Sequence, residues 1–391
     1  MSTLTMPIPM ISTAAVKDAA IPKNDIWVFL DNEGPQTKND NAFENMVALA
    51  KRYPEWDKFL PEVNIVPEEK EKGMTVGEII GTRAYQRISK IDDVWGDFHL
   101  ILKDPTYSSG HTLKVILPFY KALGATKEWL YNYAQENLLV VLNIDKVLVN
   151  LDRKYNTWMV STSYDFFIKA FCDRVGFDFS RACCTFVPKF DEIPISKTES
   201  RILLAFLKRL ALTSVIEYDG KTGKVKEEHQ ACYNWITGFV WEVVYHLPVG
   251  EFLRFVHPVG QAQKREAVEK ILREHQVPLE KVMGVGDSQT DVQWVQLLKG
   301  KGLSMMFNGK GKVCSESDIM YIGEDARPIE EVANLFALRG RQGVIDYYTP
   351  PRKARCGGII AAVTPENIEE LESLSVKKRK EFRGVAIGEL T

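Results

Sequence analysis

One short stretch restricts this chain more than any other: Ile26-Trp-Val-Phe-Leu30, which runs straight into Asp31-Asn-Glu33-Gly-Pro35. Five apolar residues without polar alternation suit a strand buried on both faces, the habit of a parallel sheet covered by helices on either side. A second apolar run, Val282 to Val285, ends in the acidic turn Gly286-Asp287-Ser-Gln-Thr-Asp291. A third, Thr157 to Val160, ends in the hydroxyls Ser161-Thr-Ser163. Ligands of parallel sheets bind beyond the carboxyl ends of the strands. Asp31, Ser161 and Asp287 are therefore expected on one rim.

Strand and helix patterns alternate at both ends of the chain, with two insertions between them. The expectation is an α/β fold: a doubly wound, Rossmann-like parallel sheet carrying mainly helical caps. Residues 1–24 read as an arm. Residues 25–44, 141–180 and 256–345 read as the core, 45–140 and 181–255 as the two caps, and 346–391 as a C-terminal extension. Local signals add detail. Thr126 reads as the N-cap of a helix opening at Glu128 and Trp129, and Asp219-Gly220 as a hairpin turn.

A chain of 391 residues exceeds one small core. Its 50 basic and 52 acidic residues leave a net charge of −2, so no overall field recruits nucleic acid or an anionic membrane. The run Lys377-Lys-Arg-Lys380 reads as a solvated helix face. The six cysteines lack ligand or redox spacing and read as free thiols of a reducing compartment. No segment reads as a signal peptide or a membrane span, and the expected location is cytoplasmic.

Phosphate esters repel nucleophiles, so their cleavage calls for charge neutralisation and in-line positioning. The residues at the expected rim suit that task. Asp31 is the candidate nucleophile, forming an aspartyl-phosphate. Asp31, Glu33, Asp287 and Asp291 are candidate metal ligands for Mg²⁺, a hard ion that takes oxygen donors. Ser161 and Thr162 would hydrogen-bond the phosphoryl oxygens. Lys264, at the start of a helix, would hold a positive charge on those oxygens and keep Asp31 ionised. Glu33 would protonate the leaving oxygen and then activate water. Taken singly, each of these residues is equally at home as a turn, a cap or a surface charge. Their order along the chain is what singles them out.

That order resembles the haloacid dehalogenase superfamily, whose four motifs match Asp31-x-Glu33, Ser161, Lys264 and Gly286-Asp287-x-x-x-Asp291. More narrowly, the chain is similar to archaeal members named energy-converting hydrogenase A subunit R. The stretches Leu30 to Glu44, Ile91-Asp-Asp93, Gly110 to Phe119, Val160 to Tyr164, Gly286 to Asp291 and Met306 to Gly309 carry this likeness. It spans about residues 26 to 340. The resemblance implies a Mg²⁺-dependent phosphohydrolase acting on a small phosphorylated metabolite, and at most an association with a hydrogenase complex. Two alternatives use the same residues: a catalytically weak scaffold or regulatory binding protein, and a phosphomutase or phosphotransferase. Glu33 departs from the superfamily's usual aspartate, and its extra methylene moves the proton by about 1.5 Å.

Overall fold

The computed structural model describes residues 23–59, 66, 69, 72–101, 110–219 and 222–384. The arm expected over 1–24 falls almost wholly outside them. Eight strands form one sheet. From one edge they are β3 (Ala182–Thr185), β2 (Asn156–Tyr164), β1 (Trp27–Leu30), β4 (Val282–Gly286), β5 (Leu303–Phe307), β6 (Ile319–Ile322), β8 (Ile359–Ala362) and β7 (Arg352–Lys353). Pairing is parallel from β3 to β6, while β8 runs antiparallel to both β6 and β7.

The unalternating strands are covered on both sides, as their composition requires. Val28 and Leu30 face one core, shared with Met159, Val285 and the helices Ile144–Lys154 and Arg327–Tyr348. Phe29 faces a second core, formed with Val160, Val268, Trp294 and Met306. Gly284 lets Trp294 lie flat on β4, since a Cβ there would sit 1.8 Å from the indole ring.

The insertion between β1 and β2 is helical. Its helix Val76–Ile101 lies against Asn41–Lys51, and the approach is so close that a Cβ on Gly77 would stand 2.4 Å from the Ala50 carbonyl oxygen. The insertion after β3 contributes the helix Lys197–Ala211, opened by a capping box between Ser196 and Glu199. Phe206 of this helix stacks on Phe119 of the first insertion at 5.9 Å. Arg87 reaches the Thr213 carbonyl oxygen. The two expected caps thus share one apolar core.

Two boundaries differ from expectation. Strand β3 lies inside the segment 181–255, where only a cap was expected, because Cys183 and Cys184 read as thiols and not as an edge strand. The residues expected as an extension, 346–391, supply β7, β8 and the helix Ile368–Arg383. Ile360, Ala361 and Ala362 of β8 are fully buried. Thr126 does cap its helix, accepting from Trp129 N at 3.0 Å. Where a hairpin was expected, Tyr218 bridges Val225 antiparallel, and Asp219 N and Lys226 N bond the carbonyl oxygens of Lys224 and Glu217, while Gly220 of the expected turn lies outside the described residues. All six cysteines are unpaired. No described helix is long and apolar enough to cross a membrane.

Because β8 covers the edge of β6, a chain ended at Thr349 should lose on the order of 5 kcal/mol, from burial of Ile360, Leu371 and Phe382 alone. Urea unfolding would show it. A truncated chain as stable as the full one would mean that the closing strands carry no share of the core.

Candidate active site

The site follows from register. Leu30 lies opposite Met159 on one side and Val285 on the other. Just past that level, Asp31 leaves β1 beside Val160-Ser161, still within β2, and beside Gly286-Asp287, where β4 ends. Asp31 N still bonds the Val285 carbonyl oxygen at 2.9 Å, which fixes the start of the acidic loop. That loop folds back tightly on β4. Gly34 has φ +105°, and a Cβ there would stand 2.0 Å from the Asp287 carboxylate. Only glycine permits both the conformation and the approach.

Lys264 enters from the second residue pair of the helix Gln261–Glu274 and is completely buried. Its ammonium donates to Asp31 Oδ2 at 2.6 Å, to Asp291 Oδ1 at 2.8 Å and to Thr290 Oγ1 at 3.2 Å. Burial works against its charge, but Asp291 and Asp31 outweigh that and hold the ammonium above its ordinary range. Asp31 Oδ1 accepts from Asn32 N at 2.7 Å.

Asp31, Asp287 and Asp291 place carboxylate oxygens within 4.8 Å of one another. Their roles differ. Asp291 Oδ2 accepts from the backbone N–H groups of Asp287 and Ser288, and Oδ1 accepts from Lys264 and Trp294 Nε1. Four donors occupy its acceptor sites, so Asp291 organises the turn. Asp287 Oδ2 faces Arg379 Nη1 and, at 3.5 Å, Arg383 Nη1, while no described residue donates to Oδ1. Glu33 stands apart from the three: its Oε1 accepts from Asn41 N at 2.8 Å.

These groups open onto a cavity of about 250 Å³. Asp31, Glu33, Asp287 and Arg379 line it, as do Ser161 and Thr162 at the end of β2. Thr162 Oγ1 and Ser163 Oγ, beside this wall, are buried without a partner among the described residues. Tyr85, Asp92 and Tyr218 line the cavity from the insertions. Burial pushes the Asp31 carboxyl up, Lys264 pulls it down, and the neighbouring Asp291 and Asp287 raise it again, to about 7 overall. Burial, followed by the charge of Asp40, raises Glu33 to about 8 against the opposing pull of Asn41 N and Arg383.

Every residue singled out in the sequence comes to this cavity or to its floor. Arg379 and Arg383 were missed. Arg379 lies in the run that reads as solvated and Arg383 follows just after it, yet both side chains are buried, with Arg379 only 1% exposed. A signal existed. Leu371, Ser375, Arg379 and Phe382 recur at helical spacing, and all four are buried.

No protein-family model and no curated protein matches the sequence. Among solved structures, a gene product of Archaeoglobus fulgidus superposes with a TM-score of 0.70 at 20% identity, over 93% of this chain and 98% of that one. The two share a fold. A phospho-aspartyl intermediate analogue of phosphoserine phosphatase gives 0.40 at 15% identity, over 79% and 99%. A HAD family hydrolase of Salmonella enterica gives 0.36 at 9%, over 75% and 66%.

The raised carboxyls have a consequence for stability. The folded, metal-free protein keeps protons on Asp31 and Glu33 to about 7 and about 8, whereas the unfolded chain gives them up near 4. Stability should therefore fall as pH rises through that window and level off above it. Urea midpoints of chelator-treated protein between pH 5 and 8.5 would show the slope, and Glu33→Gln should flatten it. Identical slopes in wild type and Glu33→Gln would refute a raised Glu33.

Proposed function

We propose that the chain is a Mg²⁺-dependent phosphohydrolase of haloacid dehalogenase type, acting on a small phosphorylated metabolite through an aspartyl-phosphate on Asp31. The observation that carries this reading is the buried contact of Lys264 Nζ with Asp31 Oδ2, 2.6 Å long, at the end of the central strand and facing the cavity. The ammonium pulls the raised Asp31 carboxyl back toward its charged form and fixes its line of approach.

The donor set suits a hard divalent ion. Asp31, Asp287 and Asp291 bring carboxylate oxygens within 4.8 Å of one another, and no described residue donates to Asp287 Oδ1. Asp31 and Asp287 would hold Mg²⁺, which when bound draws in the phosphoryl group and offsets its charge. Asp291 would act on the ion only through the turn it organises, and Glu33 is kept for proton transfer.

The remaining work falls to the chain itself. An Asp31 oxygen attacks phosphorus as the bond to the leaving oxygen breaks, and Glu33 gives that oxygen its proton. Glu33, now ionised, takes a proton from water, whose oxygen attacks the acyl-phosphate and releases phosphate and free Asp31. Ser161 and Thr162 donate to the phosphoryl oxygens throughout, while the helices of both insertions shield the step from bulk water.

One observation favours the second reading, a catalytically weak scaffold that binds a phosphorylated metabolite or a protein partner. Asp287, a presumed metal ligand in the first reading, already has an arginine on one oxygen.

Turnover decides between them. Asp31→Asn should abolish phosphate release from a panel of phosphorylated metabolites while leaving the melting temperature within a few degrees of wild type. Chelation should stop the wild type and Mg²⁺ restore it. Phosphate release that persists in EDTA, or in Asp31→Asn, would rule the mechanism out. Glu33→Gln should slow alkyl phosphates by about 10²- to 10⁴-fold and spare an activated aryl phosphate, which leaves without a proton.

A further inference from the structure

The rim holds its own cations. Lys264 serves Asp31 and Asp291 and has no donor left for Asp287. Asp287 is met by the C-terminal helix Ile368–Arg383, which brings Arg379 Nη1 and Arg383 Nη1 to the same oxygen, Oδ2. The helix is pinned in place. Ser375 Oγ donates to the Gly309 carbonyl oxygen at 2.7 Å, Glu372 accepts from Gly311 N at 2.9 Å, and Arg383 Nε donates to the Lys38 carbonyl oxygen at 3.1 Å.

The two arginines are not equivalent. Arg383 is tied to the backbone of Lys38 and Asn39. Arg379 has one ionic partner, Asp287, with only long contacts to the carbonyl oxygens of Asp287 and Asn308 at 3.4 and 3.5 Å. Its Nε and Nη2 are buried without an acceptor among the described residues. A guanidinium stripped of water on that edge is held weakly for its burial.

We propose that Arg379 is a tethered cation that competes with a divalent metal ion for Asp287 and so sets the metal affinity of the site. The inference rests on the metal centre of the phosphohydrolase reading. Two effects oppose each other when Arg379 is neutralised. Loss of an orienting partner weakens metal binding, by about 10- to 100-fold where such partners act alone. Here Arg383 still orients the same oxygen. Loss of a positive charge about 6 Å from a doubly charged ion strengthens binding, by about 10⁴-fold at an effective dielectric constant of about 20. Charge wins.

The test is Mn²⁺ binding to the full-length chain, read from the electron paramagnetic resonance of free and bound ion. Arg379→Gln keeps a hydrogen-bond donor for Asp287 without the charge, and should bind Mn²⁺ at least about tenfold more tightly than wild type. Arg379→Lys, which keeps the charge, should stay near the wild-type affinity, and Asp287→Ala should lose the site. Arg379→Met offers the same comparison if the glutamine variant folds poorly. The melting temperature should also rise further with Mn²⁺ in the neutral variants than in wild type. Equal or weaker Mn²⁺ binding in the neutral variants, with binding still lost in Asp287→Ala, overturns the competition and leaves the metal centre standing. No Mn²⁺ binding by either wild type or the neutral variants overturns both.

Discussion

The ammonium of Lys264 is the point on which the rim is assembled. An ion of that size costs several kcal/mol to bury, and the cost is recovered only where every donor finds an acceptor at good distance. The three N–H groups of Lys264 meet three oxygens, on Asp31, Asp291 and Thr290, between 2.6 and 3.2 Å. One atom thereby ties the end of β1 to the turn after β4 and to the helix Gln261–Glu274. Asp291 then has its remaining acceptor sites filled by Trp294 and by the backbone of the turn it closes. The arrangement is complete, and its completeness leaves Asp287 outside it.

A buried carboxylate that cannot share the lysine needs another source of positive charge. The fold finds it more than ninety positions downstream, in a helix that the last strands bring over the carboxyl rim. Strand β8 turns back against β6, and the helix that follows lies along Gly309 and Gly311, beside the end of β5. Leu371 and Phe382 anchor it in apolar surroundings, and Arg379 lies on the same buried stripe. Closing the sheet edge and charging the site are thus one event. A substitution that loosens β8 reaches the chemistry through the arginines, without touching the cavity.

The convergence of Asp31, Ser161, Lys264 and Asp287 was legible because each sits at the end of a strand or the start of a helix, and the parallel sheet does the rest. Register was not needed to expect it, although register explains it. The arginines were passed over for a different reason, although the apolar stripe of their helix pointed to Arg379. A lysine- and arginine-rich run obeys the ordinary rule that charge stays wet, and the exception depends on a carboxylate that only the folded chain places opposite. The edge strands were missed on similar grounds: β3 is four residues long and β7 two, too short to show a period. The division of Asp31, Asp287 and Asp291 into proposed ligands and an organiser also lay beyond the sequence, since it depends on which N–H groups point where.

Glu33 shows how the same physics separates two acids that lie together. Asp40, its neighbour, caps the helix Asn41–Lys51, accepting from Phe43 N at 2.9 Å and from the Tyr85 hydroxyl at 3.2 Å. Glu33 accepts from one donor, Asn41 N. Burial raises both carboxyls, and two adjacent negative charges in such a place are costly, so the pair shares a proton. More donors favour the charged form, which puts the charge on Asp40 and the proton on Glu33. The longer side chain belongs to this division. With its extra methylene Glu33 reaches the first N–H of the helix while its carboxyl still lines the cavity. Glutamate at this position is therefore an acid held protonated first by burial and then by the charge of its neighbour, and the helix cap keeps that neighbour in place.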